Sequence, residues 1–346
     1  MKVPAIKVVD LLLTYNCNFG CRYCFVNQSG NKQSMKSQIL EQAMSWIAQE
    51  AQDEVEIVLL GGEPTLEPLL IEQAVNIAKK YSKTKNIKFH FAMTTNFVNI
   101  DEKLAKKLKK WHIPYLISLG GYGRRHDKSR PTRSGVSSFN ILKQKIKMFQ
   151  KYQPNLATRV TATPNTVDWL CEDLTNIQKM GFSHLIISPA TGIKWSDEKL
   201  EQFKNQMINY VKTIKIIDGK PDIIVSPIND APKGFRQWGC GAGRGRYSID
   251  PNGNIYSCAR FAGMIKTDPL KIGDIYNGVD VNGNIKKFQD DTYVSRQECL
   301  TCPMREECLG GCPAVNWEEG GDLIRPSTNE CRMLKIVFEI RASIAI

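Results

Sequence analysis

Cys17-Asn18-Phe19-Gly20-Cys21-Arg22-Tyr23-Cys24 lies near the N-terminus, just after an apolar run from Ile6 to Leu13. Three thiols at C-x3-C-x2-C spacing on a loop after a strand point to soft metals or iron–sulfur clusters, which thiolates select. Three thiolates are one too few to close a four-iron cubane, so one iron is left open to another ligand. Structural or zinc-binding cysteines would present the same three thiols. The rest of the chain has to decide.

The 346 residues allow two or three domains, and 42% apolar with 24% charged residues is ordinary for a soluble globular chain. No apolar stretch is long enough to span a bilayer, and the first ten residues do not read as a secretory signal. A cytoplasmic protein that uses neither membrane nor nucleic acid is expected. The net charge of +12 suggests an anionic partner, although lysines spread over stretches such as Glu102–Lys110 also read as solvated helix faces. Eleven cysteines are the outstanding compositional feature. In a reducing compartment, clustered cysteines point to metal or catalysis rather than disulfides. Three form the opening loop, Cys171 stands alone as an expected core residue, and seven follow residue 239.

Between these groups the chain alternates β-rich runs with amphipathic stretches. The runs are Ile6–Leu13, Val55–Leu60, Ile87–Met93, Tyr115–Leu119, Thr158–Thr163 and His184–Ser188. Helices are expected near Ser37–Gln49, Leu69–Tyr81, Glu102–Trp111, Phe139–Gln150 and Val167–Lys179. Six strand–helix repeats predict an α/β fold with a parallel sheet, either an open doubly wound sheet or a partial barrel. The motifs follow successive strands: the Cys loop, Gly61-Gly62-Glu63-Pro64-Thr65, Thr94-Thr95-Asn96 and Ser118-Leu119-Gly120-Gly121. Loops at the carboxyl ends of parallel strands build active sites, so all four are expected at one mouth.

The Cys loop, with Tyr23 directly before its last Cys, resembles the cluster loop of the radical S-adenosylmethionine (SAM) superfamily. Gly61-Gly62-Glu63 resembles that family's motif for the SAM amino group. The resemblance implies a partial (β/α)6 TIM barrel with a [4Fe–4S] cluster on Cys17, Cys21 and Cys24. It also implies SAM contacts at Tyr23, Gly61, Gly62, Glu63, Asn96, Ser118 and Arg130. Ser118 and Arg130 stand twelve positions apart, as in related enzymes, and a guanidinium suits a carboxylate. Gly120 occupies a place where relatives often carry an acid. His126 and Asp127, in the same expected loop, could serve acid–base chemistry or hold the loop's shape. A long helix from Lys194 to Ile217 and a strand over Asp222–Val225 read as a bridge over residues 193–230, between domains at 1–192 and 231–346.

The later cysteines run Cys240-x12-Gly253-x4-Cys258, then Cys299-x2-Cys302-x5-Cys308-x3-Cys312, then Cys331. Asp250-Pro251-Asn252-Gly253-Asn254 reads as a hairpin turn that leads to Cys258. Zinc knuckles would also use C-x2-C, although seven thiolates do not divide into fours. The layout resembles the SPASM domain, which binds two auxiliary [4Fe–4S] clusters. By that resemblance Cys299, Cys302, Cys308 and Cys331 close one cluster, and Cys240, Cys258 and Cys312 hold the other. Gly234 stands where relatives with fully ligated clusters carry an eighth Cys, which implies an open iron or a non-Cys ligand.

The resemblance implies a maturase that crosslinks a ribosomally made precursor peptide or excises part of its backbone. A flavodoxin or ferredoxin-type donor would serve it. With strand one beginning near Ile6, a separate leader-binding protein is expected. Sulfatase-type side-chain maturation would use the same domains, but Ala259 occupies the place of that branch's acid. A small-molecule dehydrogenase also fits the motifs, and a zinc-stabilised binding protein, of a different class, fits the cysteines alone. The sequence names no general acid or base.

Overall fold

The computed structural model describes residues 5–28, 30–229, 241–264, 270–289, 297–308, 310–323, 325 and 327–343. In chain order, β1 (Ile6–Thr14), α1 (Phe25–Gln28) and α2 (Ser37–Glu50) precede β2 (Ala51–Gly61), α3 (Pro68–Lys85) and β3 (Lys88–Thr95). Next come α4 (Glu102–Lys110), β4 (Tyr115–Leu119), α5 (Arg124–Ser129), α6 (Ser138–Phe149) and β5 (Ala157–Ala162). They lead to α7 (Leu170–Gln178), β6 (His184–Pro189), α8 (Asp197–Val211), β7 (Ile216–Ile217), β8 (Lys220–Pro221) and β9 (Ile224–Ser226). The later part holds β10 (Arg246–Ile249), β11 (Asn254–Tyr256), α9 (Ala259–Gly263), β12 (Gly273–Asp274), β13 (Gly278–Val279) and α10 (Ile285–Gln289). Four helices close the chain: α11 (Gln297–Leu300), α12 (Arg305–Cys308), α13 (Pro313–Gly320) and α14 (Thr328–Ala342). Among the described residues no helix is long and apolar enough to cross a membrane.

The chain forms two compact units. The first takes residues up to 18, residues 24–115 and residues 241–289. Its strands run in the order β13-β12-β11-β10-β1-β2-β3, with β10, β1, β2 and β3 parallel. Strand β1 is buried from Val9 to Thr14, the near-continuous apolar run expected of a strand covered on both faces. Helix α2 buries Leu40, Ala43, Met44 and Ile47, a three-and-four spacing. Each large side chain buried this way contributes roughly 1.5–3 kcal/mol.

Strand β10 was not anticipated as a neighbour of β1. Its Arg246 donates to both carboxylate oxygens of buried Asp10 at 2.9 and 2.5 Å. The hairpin expected at residues 250–254 is present: β10 and β11 pair antiparallel, and Gly253 adopts φ +86°. Asp250 Oδ1 accepts from the Asn252 and Asn254 amides and fixes the turn.

The second unit takes residues 19–23, 116–229 and 297–343. Its strands run β4-β5-β6-β9, all parallel. The long helix expected from Lys194 to Ile217 is instead α8, which ends at Val211. Ile216 and Ile217 turn back through Asp218-Gly219 in the β7–β8 hairpin. The β-branched Ile214, Ile216 and Ile217 before an Asp-Gly turn favour a hairpin over more helix. His126 and Asp127, expected in a loop, lie on the short helix α5. Cys171, expected in the core, is half-buried on α7, whose buried residues are Leu170, Asp173, Leu174 and Ile177.

Candidate active site

In the first unit the ends of β1, β2 and β3 are tied into one frame. Gly61 adopts φ +133°, and a Cβ there would lie 2.2 Å from the Thr14 carbonyl oxygen. A Cβ on Gly62 would lie 2.0 Å from the Asn16 carbonyl oxygen. Only glycine permits this approach, which lets the Gly62 amide donate to Thr14 (2.7 Å) and the Glu63 amide to Asn16 (2.8 Å). The glycine pair therefore packs against the backbone that leads into Cys17. Tyr15 adds a second anchor, its hydroxyl donating to Asp250 (3.2 Å) and to the Ala262 carbonyl (2.9 Å). Burial and the Asp250 charge push its phenol well above the usual range.

Glu63 is the hub of the frame. Its carboxylate is buried, and Oε1 accepts from the Thr65 amide (3.1 Å), the Thr65 hydroxyl (2.6 Å) and the Thr95 hydroxyl (2.7 Å). Oε2 accepts from the Asn96 amide at 2.7 Å. Burial pushes the carboxyl above its usual range, against the opposing pull of these donors. The motif after β2 is thus locked to the motif after β3. Asn96 passes the constraint on: its Nδ2 donates to Asn18 Oδ1 at 2.7 Å and lies 3.9 Å from Cys17 Sγ.

Residues 19–23 are held by the second unit. The Gly20 amide donates to the Pro131 carbonyl at 2.8 Å, and Phe19 forms a bridge with Thr132. The Arg130 guanidinium stands 5.7 Å from the Phe19 ring centroid and donates to the Tyr23 hydroxyl at 2.7 Å. Burial raises the Tyr23 phenol, against the opposing pull of Arg130. Ser118 is half-buried near the end of β4. A Cβ on Gly120 would meet Ser129 Oγ at 2.7 Å and Arg130 Cγ at 3.0 Å, so this tight spot admits no side chain.

His126 is fully buried, and burial followed by the Arg130 charge lowers its pKa to about 3. Its Nδ1 accepts from the Gly120 amide at 3.4 Å, so it is a neutral structural imidazole rather than an acid–base group. Asp127 accepts from the Ser137 hydroxyl (2.6 Å), the Ser138 hydroxyl (3.0 Å) and the Phe139 amide (3.0 Å). These bonds outweigh its partial burial, hold its carboxyl below the usual range, and anchor the start of α6.

The thiols fit cluster chemistry. Cys21 is buried, Cys17 and Cys24 are half-buried, and all three are outside any disulfide. In the later part of the second unit, burial raises the Cys308 thiol, with Cys331 and Cys302 close enough to push it further. Cys299 lies on α11, where its carbonyl accepts from the Cys302 amide at 3.1 Å, and Cys312 precedes α13. In the first unit Cys258 caps α9. Cys240 and Gly234 lie outside the described residues. Among the described residues no three Cys, His, Asp or Glu side chains form a single-ion site. A four-iron cluster instead takes one thiolate on each iron.

A family model described as "Radical SAM superfamily" matches residues 11–177, which span the whole frame. Residues 11–177 are a radical SAM domain. A Cys-rich region follows that domain. Two curated relatives extend the likeness beyond that domain. Radical SAM cyclopropyl synthase TigE of Paramaledivibacter caminithermalis is 22% identical over 96% of this chain and 73% of that protein. A cysteine-type anaerobic sulfatase-maturating enzyme of Clostridium novyi is 26% identical over 86% of this chain and 85% of its own. Among solved structures, anSMEcpe with bound AdoMet and the Cp18Cys peptide superposes with TM-score 0.79 at 19% identity, covering 97% and 96% of the two chains. That likeness establishes a shared fold.

Proposed function

We infer that this radical SAM enzyme is a peptide maturase that forms a crosslink in a ribosomally made precursor or excises part of its backbone. The observation that carries the reading is the frame in which Gly62, Glu63 and Asn96 immobilise the chain around Cys17. In this reading Cys17, Cys21 and Cys24 hold a [4Fe–4S] cluster, and Tyr23, Gly61, Gly62, Glu63, Asn96, Ser118 and Arg130 line the SAM site. When bound, SAM and the reduced cluster supply a 5′-deoxyadenosyl radical that takes hydrogen from an unactivated C–H bond. The protein's part is orientation. Asn96 positions the loop beside the Cys17 sulfur, Arg130 offers its guanidinium to a carboxylate, and Tyr23 holds Arg130 in place.

The relatives named as a cyclopropyl synthase and as sulfatase maturases support a peptide or protein substrate. Ala259, at the first position of α9 after Cys258, brings no carboxylate there and favours crosslinking or excision over sulfatase-type maturation. Cys299, Cys302, Cys308 and Cys331 are proposed to hold one auxiliary cluster, and Cys240, Cys258 and Cys312 another. A leader-binding protein and a flavodoxin or ferredoxin-type donor would complete the system.

The test is anaerobic reconstitution followed by reaction with SAM, a reductant and candidate precursor peptides. Three clusters predict about twelve irons per chain. Formation of 5′-deoxyadenosine should be lost when Cys17, Cys21 and Cys24 are all changed to Ala. A peptide mass lower by two hydrogens would mark a crosslink, and a larger loss an excision. Stoichiometric zinc without SAM cleavage would overturn the reading.

A further inference from the structure

The turn between Cys308 and Cys312 is built beyond what ending a helix requires. Gly310 and Gly311 follow the four-residue α12 and both adopt positive φ, +87° and +77°. One glycine is enough to end a helix. Here two stand in succession, and the amides of both donate to the Cys308 sulfur. The Gly311 amide also reaches the Cys308 carbonyl at 3.3 Å. Successive amides in a turn form a concavity that favours negative charge, as they do around phosphates and iron–sulfur sites. Cys302 and Cys331 lie close enough for their charge to act on Cys308. The turn therefore stands beside three of the thiols assigned to one auxiliary cluster.

Asn316 holds this turn from the other side. It is fully buried on α13, and its Nδ2 donates to the Gly310 carbonyl at 2.8 Å and to the Leu323 carbonyl at 3.1 Å. The Gly310 carbonyl and the Gly311 N–H belong to one planar trans peptide and point in opposite directions. Gripping the carbonyl therefore aims the N–H away from Asn316, toward Cys308. The Asn316 backbone amide donates to the Cys312 carbonyl at 2.9 Å, so the residue is tied to the chain on both sides of Gly311. Its Oδ1 accepts no hydrogen bond and would lie 3.4 Å from a Cβ on Gly311. A buried oxygen without a donor is destabilising. A polar side chain retained in spite of that is retained for its N–H groups.

We propose that Asn316 is a positioning residue that raises the reduction potential of the cluster on Cys299, Cys302, Cys308 and Cys331, by aiming the Gly310 and Gly311 amides at the Cys308 sulfur. The proposal rests on the auxiliary-cluster reading and adds what tunes that cluster. One electron taken up from a reductant such as dithionite leaves the cluster more negative, and no bond to the protein breaks. N–H dipoles pointed at a ligating sulfur favour the more negative state and so move the potential upward. A raised potential suits this cluster to accepting electrons rather than supplying them.

The test uses full-length protein reconstituted with iron and sulfide, in which Cys17, Cys21, Cys24, Cys240 and Cys258 are changed to Ala so that one cluster remains. Iron content of this parent should be about four per chain. Its midpoint potential is read by dithionite titration followed by electron paramagnetic resonance. Asn316→Ala should lower the potential by at least about 59 mV, a tenfold shift in the one-electron equilibrium, with iron content unchanged. Gly311→Ala should shift it the same way, and carries the test if Asn316→Ala takes up no iron. Asn329→Ala removes a bond to the Ile193 carbonyl, two residues before Cys331, and should leave the potential where it was. Parent-like potentials in Asn316→Ala and Gly311→Ala overturn the proposal. So does an equal fall in Asn329→Ala, the mark of general loosening, or loss of iron from both other variants, the mark of a purely structural role. These outcomes leave the auxiliary-cluster reading standing, whereas a parent without iron overturns that reading and the proposal with it.

Discussion

Replacing Glu63 by Gln changes little in shape and tests whether this residue acts as a hub within the protein. The amide has one acceptor oxygen where the carboxylate has two. Its best placement keeps that oxygen at Oε1, which serves three donors, and puts the NH2 group at Oε2, facing the Asn96 amide. Two donors then meet in a buried place, and leaving the Asn96 N–H unpaired costs about 1–3 kcal/mol. The three remaining bonds lose charge assistance at roughly 0.5 kcal/mol or more each, because ionised acceptors bind about twice as strongly as neutral ones. The sum is about 3–5 kcal/mol, concentrated on the segments after β2 and β3. Hydrogen-exchange mass spectrometry on SAM-free protein should show the variant losing protection in peptides covering 61–67 and 94–98, with little change on α8. If protection there is unchanged while SAM affinity falls, the carboxylate acts on the ligand rather than on the frame, and the hub argument is wrong.

Gly62→Ala places a methyl group against the Asn16 carbonyl and should abolish SAM binding while α6 and α8 keep their exchange protection. His126 is neutral in the folded protein down to about pH 3 but protonates near 6.5 when unfolded, so acid favours unfolding. Stability should therefore fall by up to about 1.4 kcal/mol per pH unit below 6.5 on this account. Urea melts of His126→Asn at pH 7 and pH 5 should show a shallower decline than wild type, and equal slopes would refute the assignment. Arg246→Met leaves the Asp10 carboxylate buried beside an apolar side chain and should cost on the order of 3 kcal/mol. Asp10→Asn in the same protein should restore part of the loss in a thermal melt.

The strand–helix alternation and the four motifs were legible because strand ends and turn residues leave local signatures. Ile6–Leu13, Tyr115–Leu119 and the Asp250 turn were placed within a residue or two of their positions. What stayed hidden depended on contacts distant in sequence. Nothing in Arg246-Tyr247-Ser248-Ile249 announces β1 as its neighbour, and only the fold shows that Asp10 supplies the partner of Arg246. Sequence shows Glu63 only as a carboxylate after a glycine pair, and only the fold shows that Thr65, Thr95 and Asn96 donate to it. His126 looked available for proton transfer because burial is invisible in a polar stretch such as Arg124-Arg125-His126-Asp127.

The pairing of β10 with β1 bears on how such enzymes can be dissected or can evolve. A chain cut at residue 229 would lose β10 and expose one edge of β1. It would also strand the Asp10 carboxylate without its arginine and remove both acceptors of the Tyr15 hydroxyl. Open strand edges recruit other chains, so such a fragment should aggregate rather than survive as a minimal catalyst. The Cys-rich segment is thus no detachable accessory. Its first hairpin is a structural member of the first unit, and a lineage could not shed it by simple terminal deletion without rebuilding the sheet edge it covers.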